Sequence, residues 1–344
     1  MLFSKKDLFK IIVPLIIQQL LTVTIGMADS IMVAYAGEAA VSGVSLVNTL
    51  DVLLVLVFNS LVSGGSVVIS QALGTKNAER ARDAAKQLFF TASGIAALLS
   101  IVIVAVRVPL LHLLYDNVDA AVMFSAERYF FYMALSFPFL AMENACAAMF
   151  RVMGNSFISM VVSIVMNLVN VGGNALLIIC FEMGAAGAAI ASLVARIGGA
   201  AVLILLLRNK ERILYLDNFK AYRPNMKTIK SILHIGVPNG IENGMFQFGK
   251  LLTQSLISSM GTAAIAANAV ANTLATFQYM PGQATGTTMV TVVGRCIGAN
   301  EKKQAAYYTR VLVATTYVCI WIISAFILVL AKPNFFEQKL HCTS

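Results

Sequence analysis

Apolar runs of about 20 residues or more, separated by short polar breaks, recur along the chain at about 11–34, 44–72, 88–114, 126–150, 157–181, 185–207, 229–259, 263–294 and 306–331. A helix of about 20 residues crosses the roughly 30 Å of a bilayer's hydrocarbon. The pattern therefore predicts about nine transmembrane helices. Open sheets are excluded because their backbone groups would go unpaired in lipid, and the runs lack the alternation of a membrane barrel. The fold class is all-α and polytopic. Composition agrees: 59% of the 344 residues are hydrophobic and 12% charged, against roughly half and about a quarter in soluble domains. A soluble enzyme is excluded. The opening MLFSKKDLFK is basic, but a long apolar run and further spans follow it rather than a cleavage site, so it leads into a first transmembrane helix. The five cysteines show no CxxC or finger spacing and read as small apolar residues.

The net charge of +9 becomes informative when placed along these spans. Nineteen of the 25 Lys and Arg fall at the N-terminus or in the even-numbered loops, including Lys5, Lys76, Arg80, Arg151, Arg208, Lys210, Lys220, Arg295 and Lys302, and the first, fifth and seventh loops have none. Basic loops stay in the cytoplasm, so the N-terminus is expected there. The charge marks topology, with no nucleic-acid partner implied.

A gapless internal repeat appears at an offset of 224. It aligns Val13-Pro14 with Val237-Pro238, Gly37 with Gly261, Asn48-Thr49-Leu50 with Asn272-Thr273-Leu274, and Gly74 with Gly298. Six spans separate the copies, so both have the same orientation, as in parallel repeats related by an axis along the membrane normal. Two six-helix lobes are expected, with a substrate path between them. Residues 1–207 would form the N-terminal lobe, 208–228 a cytoplasmic linker, and 229–331 a partial C-terminal lobe of helices seven to nine. Nine helices out of twelve imply a C-terminally truncated product with an aberrant tail at 332–344.

Ionisable and amide side chains at membrane depth are costly and mark sites or helix contacts. Asp29 lies in the first helix fifteen residues after Pro14, which cannot donate to the helix ladder and bends it. Asn167, Asn170 and Asn174 share one face of the fifth helix, where interhelical packing competes with a cation or substrate site. Glu242, Asn243, Gln247 and Lys250 on the seventh helix are expected to line a wet cavity. Catalytic motifs, ATPase modules, cofactor motifs and metal patterns are absent from the sequence, so the chain is expected to be no enzyme, to carry no cofactor, and to draw on an ion gradient.

The stretches ADSIMVAYAG with Pro14, GGSVVISQALG, FRVMGNS and GVPNGIENGMFQFGK, in this order and with the repeat, resemble the bacterial branch of the multidrug and toxic compound extrusion (MATE) transporters, from about Ile11 to about Pro333. The resemblance implies twelve helices in two lobes forming a V around a central cavity. It also implies Na⁺- or H⁺-coupled antiport of lipophilic or cationic small molecules, drugs among them, by alternating access. Asp29 matches the family's first-helix cation-site aspartate and Pro14 its bend. Asn170 and Asn174 match the pair on helix five, where Asp is usual at the second position, and Glu242 falls about one turn before a family glutamate. Two alternatives stand beside this: a lipid-linked oligosaccharide flippase of the same superfamily, which requires a cationic cavity, and a non-transporting remnant.

Overall fold

The computed structural model describes residues 2–115, 118–217, 222–258 and 260–341, so parts of the expected linker, residues 218–221, and of the expected tail, 342–344, lie outside the described residues. Among the described residues there are nine α-helices and no strand: α1 Lys5–Ala34, α2 Glu38–Gly74, α3 Ala78–Leu114, α4 Ala120–Val152, α5 Ser156–Asn174, α6 Gly184–Leu207, α7 Met226–Ser258, α8 Thr262–Gly298 and α9 Lys302–His341. The backbone of α9 continues past the boundary expected near residue 331, through a stretch containing Glu337, Gln338, Lys339 and Leu340, all good helix formers.

Seven helices, α1 to α6 and α9, are long and apolar enough to cross a membrane. The chain is a multi-pass membrane protein. All nine expected helices are present, and α7 and α8 are the two that fall outside this apolar set among the described residues. Their length is ample, at 33 and 37 residues. Their faces are the reason: α7 carries Asn239, Glu242, Asn243, Gln247, Lys250 and Gln254, and α8 carries Asn268, Asn272, Thr276 and Gln283.

The repeat is explicit in the backbone. Adding 224 to the bounds of α2 gives the bounds of α8, and each helix has 37 residues. Each starts after a glycine in a conformation closed to other residues, Gly37 at φ +96° and Gly261 at φ +99°. Each is followed by a left-handed residue, Lys76 at φ +58° and Asn300 at φ +59°. The same offset carries the start of α3, Ala78, onto that of α9, Lys302.

The six helices α1 to α6 enclose one large core centred on α4, whose last turns (Ala141, Ala145, Cys146, Met149, Phe150) are buried in a helix packed against α2, α3 and α6. Small residues on α4 and α6 allow this close approach, the usual means of packing helices where lipid removes the hydrophobic drive. α7, α8 and α9 meet this body mainly along α2 and α1. A second, smaller core joins Ile11 and Leu15 of α1 to Ala284 and Val292 of α8 and Tyr308 of α9. The two halves touch reciprocally: a Cβ at Gly74 would collide with the Arg295 carbonyl of α8, and one at Gly298 with the Gln71 carbonyl of α2. Since 71 and 295 also differ by 224, this is the self-complementary contact of a two-fold axis. All these contacts gather at the end of the bundle that bears the basic loops. There Arg295 also donates to the Val152 carbonyl, and Phe3 exchanges hydrogen bonds with the Tyr308 hydroxyl at 3.0 and 2.7 Å.

Candidate functional site

Two polar regions lie at membrane depth, one inside the N-terminal six helices and one between the halves.

The inner region is built on α1 and α5. α5 ends at Asn174 and the chain continues in a π-helical stretch, Ala175–Cys180, a widening of the turn that recurs near functional sites. Gly172 and Gly173 precede it, and Gly173 packs against Ala191 of α6. This places Asn170 and Asn174, both buried, against Asp29 of α1. Asn174 Nδ2 donates to Asp29 Oδ1 at 2.7 Å. With its amide turned to suit its surroundings, Asn170 donates to both Asp29 oxygens at 3.1 Å and accepts from the Ser192 hydroxyl and backbone N–H of α6 at the same distance. Asn174 Oδ1 is buried with no hydrogen-bond partner, an orphan acceptor beside a carboxylate. Oxygen donors of this kind suit a hard cation, and the carboxylate alone suits a proton. Asn167 is half-buried one turn earlier and takes no part in these hydrogen bonds. Pro14 is buried within α1, upstream of Asp29 on the same helix. Among the described residues no three His, Cys, Asp or Glu come together as metal ligands would.

The outer region is a pair of adjoining cavities of about 520 and about 1210 Å³. They adjoin at Asn243 and Gln283, which line both. The smaller part is walled by α1, α2, α4, α7 and α8, with Gln18, Asn59, Asn144 and Arg151 among its lining residues. Asn144 donates to Asn59 across it at 3.1 Å. The larger part lies mainly between α7 and α8 and is lined by amides, hydroxyls, Phe246, Tyr279 and Lys250. Its volume exceeds the roughly 300–1,000 Å³ typical of sites for drug-sized ligands. The Lys250 Nζ sits over the rings of Phe246 at 5.2 Å and Tyr279 at 5.6 Å, a cation–π setting.

Of the residues expected to line this cavity, Asn243, Gln247 and Lys250 do so, whereas Glu242 is exposed and absent from the walls. On a helix, Glu242 stands about 100° from Asn243, enough to turn it off the cavity face. Arg151, Gln18, Asn59, Asn144 and Gln283 were not singled out in sequence. Arg151 reads there as a loop cation, and only the packing of the end of α4 against α8 turns it to the cavity. Ser192, the partner of Asn170, carried no signal at all. The carboxylates Asp51 and Glu143 stay inside the N-terminal six helices. Glu143 packs against the α6 backbone at Gly199, and Arg196, near both acids, donates to the Ser136 hydroxyl.

The sequence pattern of the MatE family matches residues 14–176 and 238–336, most of the chain and both copies of the repeat. The chain belongs to the MatE family. Curated relatives in the family's range include the probable multidrug resistance protein NorM of Thermotoga maritima, 26% identical over 306 residues that cover 87% of this chain and 64% of that protein. Another is the transporter YisQ of Bacillus subtilis, 25% identical over 300 residues, 86% of this chain and 65% of that one. The chain thus spans slightly under two thirds of the length of these two relatives. Among solved structures, an outward-facing multidrug resistance MATE family transporter of the MOP superfamily superposes with a TM-score of 0.87 at 17% identity, over 94% of this chain and 71% of that one. That likeness establishes a MatE fold.

Proposed function

We propose that this MatE chain acts in cation-gradient-driven export of drug-like small molecules, with Na⁺ or H⁺ taken up at Asp29, Asn170 and Asn174 and cargo held between the halves. One observation carries the reading: α1 borders both regions. Its Asp29 takes hydrogen bonds from α5, while its Leu15, Gln18 and Gln19 wall the cavity. A helix weakened at Pro14 joins them. Gain or loss of a cation at Asp29 changes what the two amides must satisfy, so the bend of α1, and with it the cavity wall, responds. Exchange requires that cation and cargo bind the two states of the transporter with different affinities. The contact of α2 with α8 at the basic-loop end, with the larger cavity away from it, fits a state closed to the cytoplasm, with the N-terminus cytoplasmic in a bacterial inner membrane.

The test is dye flux into or out of proteoliposomes containing the purified chain, under an imposed Na⁺ or proton gradient, with one cationic and one anionic dye. Gradient-dependent flux lost in Asp29→Asn is the expected result. Flux of neither dye under either gradient overturns the proposal. Organic cations, the cargo the family resemblance implies, would meet Lys250 and Arg151 in this cavity.

A further inference from the structure

Among the described residues, the two adjoining cavities bear charges of one sign only. Their lining residues include Lys250 and Arg151 and no Asp or Glu. Neither cation has an ion-pair partner: the ion pairs among the described residues are Lys86 with Asp217 and His112 with Glu127. Lys250 is held by two ring faces, which steady an ammonium without neutralising it. Of the acids on the surrounding helices, Glu242 is turned off the cavity wall, Asp29 is held by two amides and Glu143 packs against α6, and the other described lining residues are neutral amides, hydroxyls and apolar groups.

Such a lining repels an organic cation and receives an oxyanion. Lys250 supplies a point charge, Arg151 a planar fork matched to carboxylate or phosphate oxygens, and Phe246, Tyr279, Met245 and Leu56 a surface for an apolar body. We infer that the cargo of this cavity is an amphipathic anion, an apolar or aromatic body bearing a carboxylate, sulfonate or phosphate, with Lys250 and Arg151 as its charge-recognising residues. The inference rests on the proposed export function and narrows its substrate class. One chemistry can come from two sources, a soluble organic anion or the headgroup of an anionic lipid.

Fluorescein and rhodamine 6G share a xanthene body and differ in charge, so their binding to the purified chain in phosphatidylcholine nanodiscs, read by fluorescence anisotropy without any gradient, isolates polarity. Fluorescein is expected to bind roughly tenfold tighter or better. Lys250→Gln and Arg151→Gln should each weaken fluorescein about fivefold or more without weakening rhodamine 6G, and Lys250→Arg should restore most of the affinity. Tighter binding of rhodamine 6G, or no change for either dye in Lys250→Gln that elutes as a monodisperse protein, overturns the inference. Repeating the titration with phosphatidylglycerol in the disc assigns the source: competition identifies the lipid headgroup, unchanged affinity a soluble anion, and both support recognition of an anion. Because no gradient is used, charge selectivity without flux would overturn the export function alone, and flux of the cationic dye alone would overturn this inference alone.

Discussion

α1 with α2 and α7 with α8 are two copies of one backbone that carry different side chains. The bounds of α2 and α8 coincide under the offset of 224, as do their capping glycines and the left-handed residues that follow them. The side chains diverge. Asp29 has Thr253 as its counterpart, Gly26 has Lys250, and Gln18 has Glu242. The first pair is apolar enough to span lipid, and its intramembrane carboxylates, Asp29 and Asp51, lie inside the N-terminal six helices. The second pair falls short of spanning hydropathy because it gives a face to the cavity. A repeat therefore fixes where helices start, stop and cross, and leaves the solvent of each face free to change. On the same frame the first pair carries the carboxylate held by the α5 amides, and the second pair carries most of the polar cavity lining, the division that the proposed function assigns to ion and cargo.

The sharpest way to break this division is at its two carboxylates. Asp29→Asn should cut gradient-driven flux by about tenfold or more, whereas Glu242→Gln, at the α7 position equivalent to Gln18 of α1 and off the cavity wall, should change it less than about twofold. Equal losses in the two variants, measured in proteoliposomes, would mean that both copies handle the ion. The shared frame is tested next. Gly74→Val and Gly298→Val each drive a side chain into the opposite backbone and should cost about 1–3 kcal/mol or more, seen as matched falls in unfolding midpoint in detergent. A loss in one alone would deny the two-fold contact. A smaller matched pair is Gly37→Ala and Gly261→Ala, each strained at positive φ by about 1–3 kcal/mol but free of any clash.

The smallest effect lies in the segment after α6, which has no counterpart within the repeat. Lys86 Nζ meets Asp217 Oδ1 at 2.6 Å, and this hydrogen bond holds the Asp217 carboxyl below the usual carboxylate range. A lowered pKa in the folded state contributes stability that is present above the unfolded value, near 4, and is lost as pH falls through the folded value below it. Both groups are about 30% exposed, so Asp217→Asn should only modestly speed hydrogen exchange in residues 208–217 at neutral pH, the difference vanishing in acid.

Much of this was legible in the residues themselves. Apolar run length set the helices, because lipid leaves the backbone no other partner, and the constant offset of 224 foretold that α1 and α2 recur as α7 and α8, whereas the expected runs 44–72 and 263–294 missed the exact bounds that the structure pairs. Asp29, Asn170 and Asn174 stood out as polar groups in apolar helices, since such groups are expensive there. Periodicity could not say which polar face turns inward. Glu242 and Asn243 are adjacent in sequence and differ by a rotation of about 100°, which packing against α2 and α8 resolves. Arg151 looked like a loop charge until the end of α4 met α8, and Ser192 was indistinguishable from any helical serine. The sequence by itself determined spans, repeat and the cost of each buried polar group, because these depend on local composition and period. Tertiary structure alone decided the company each charge keeps, amides around Asp29 and aromatic rings beside Lys250 in a cavity whose described lining has no carboxylate, because that depends on which helices touch.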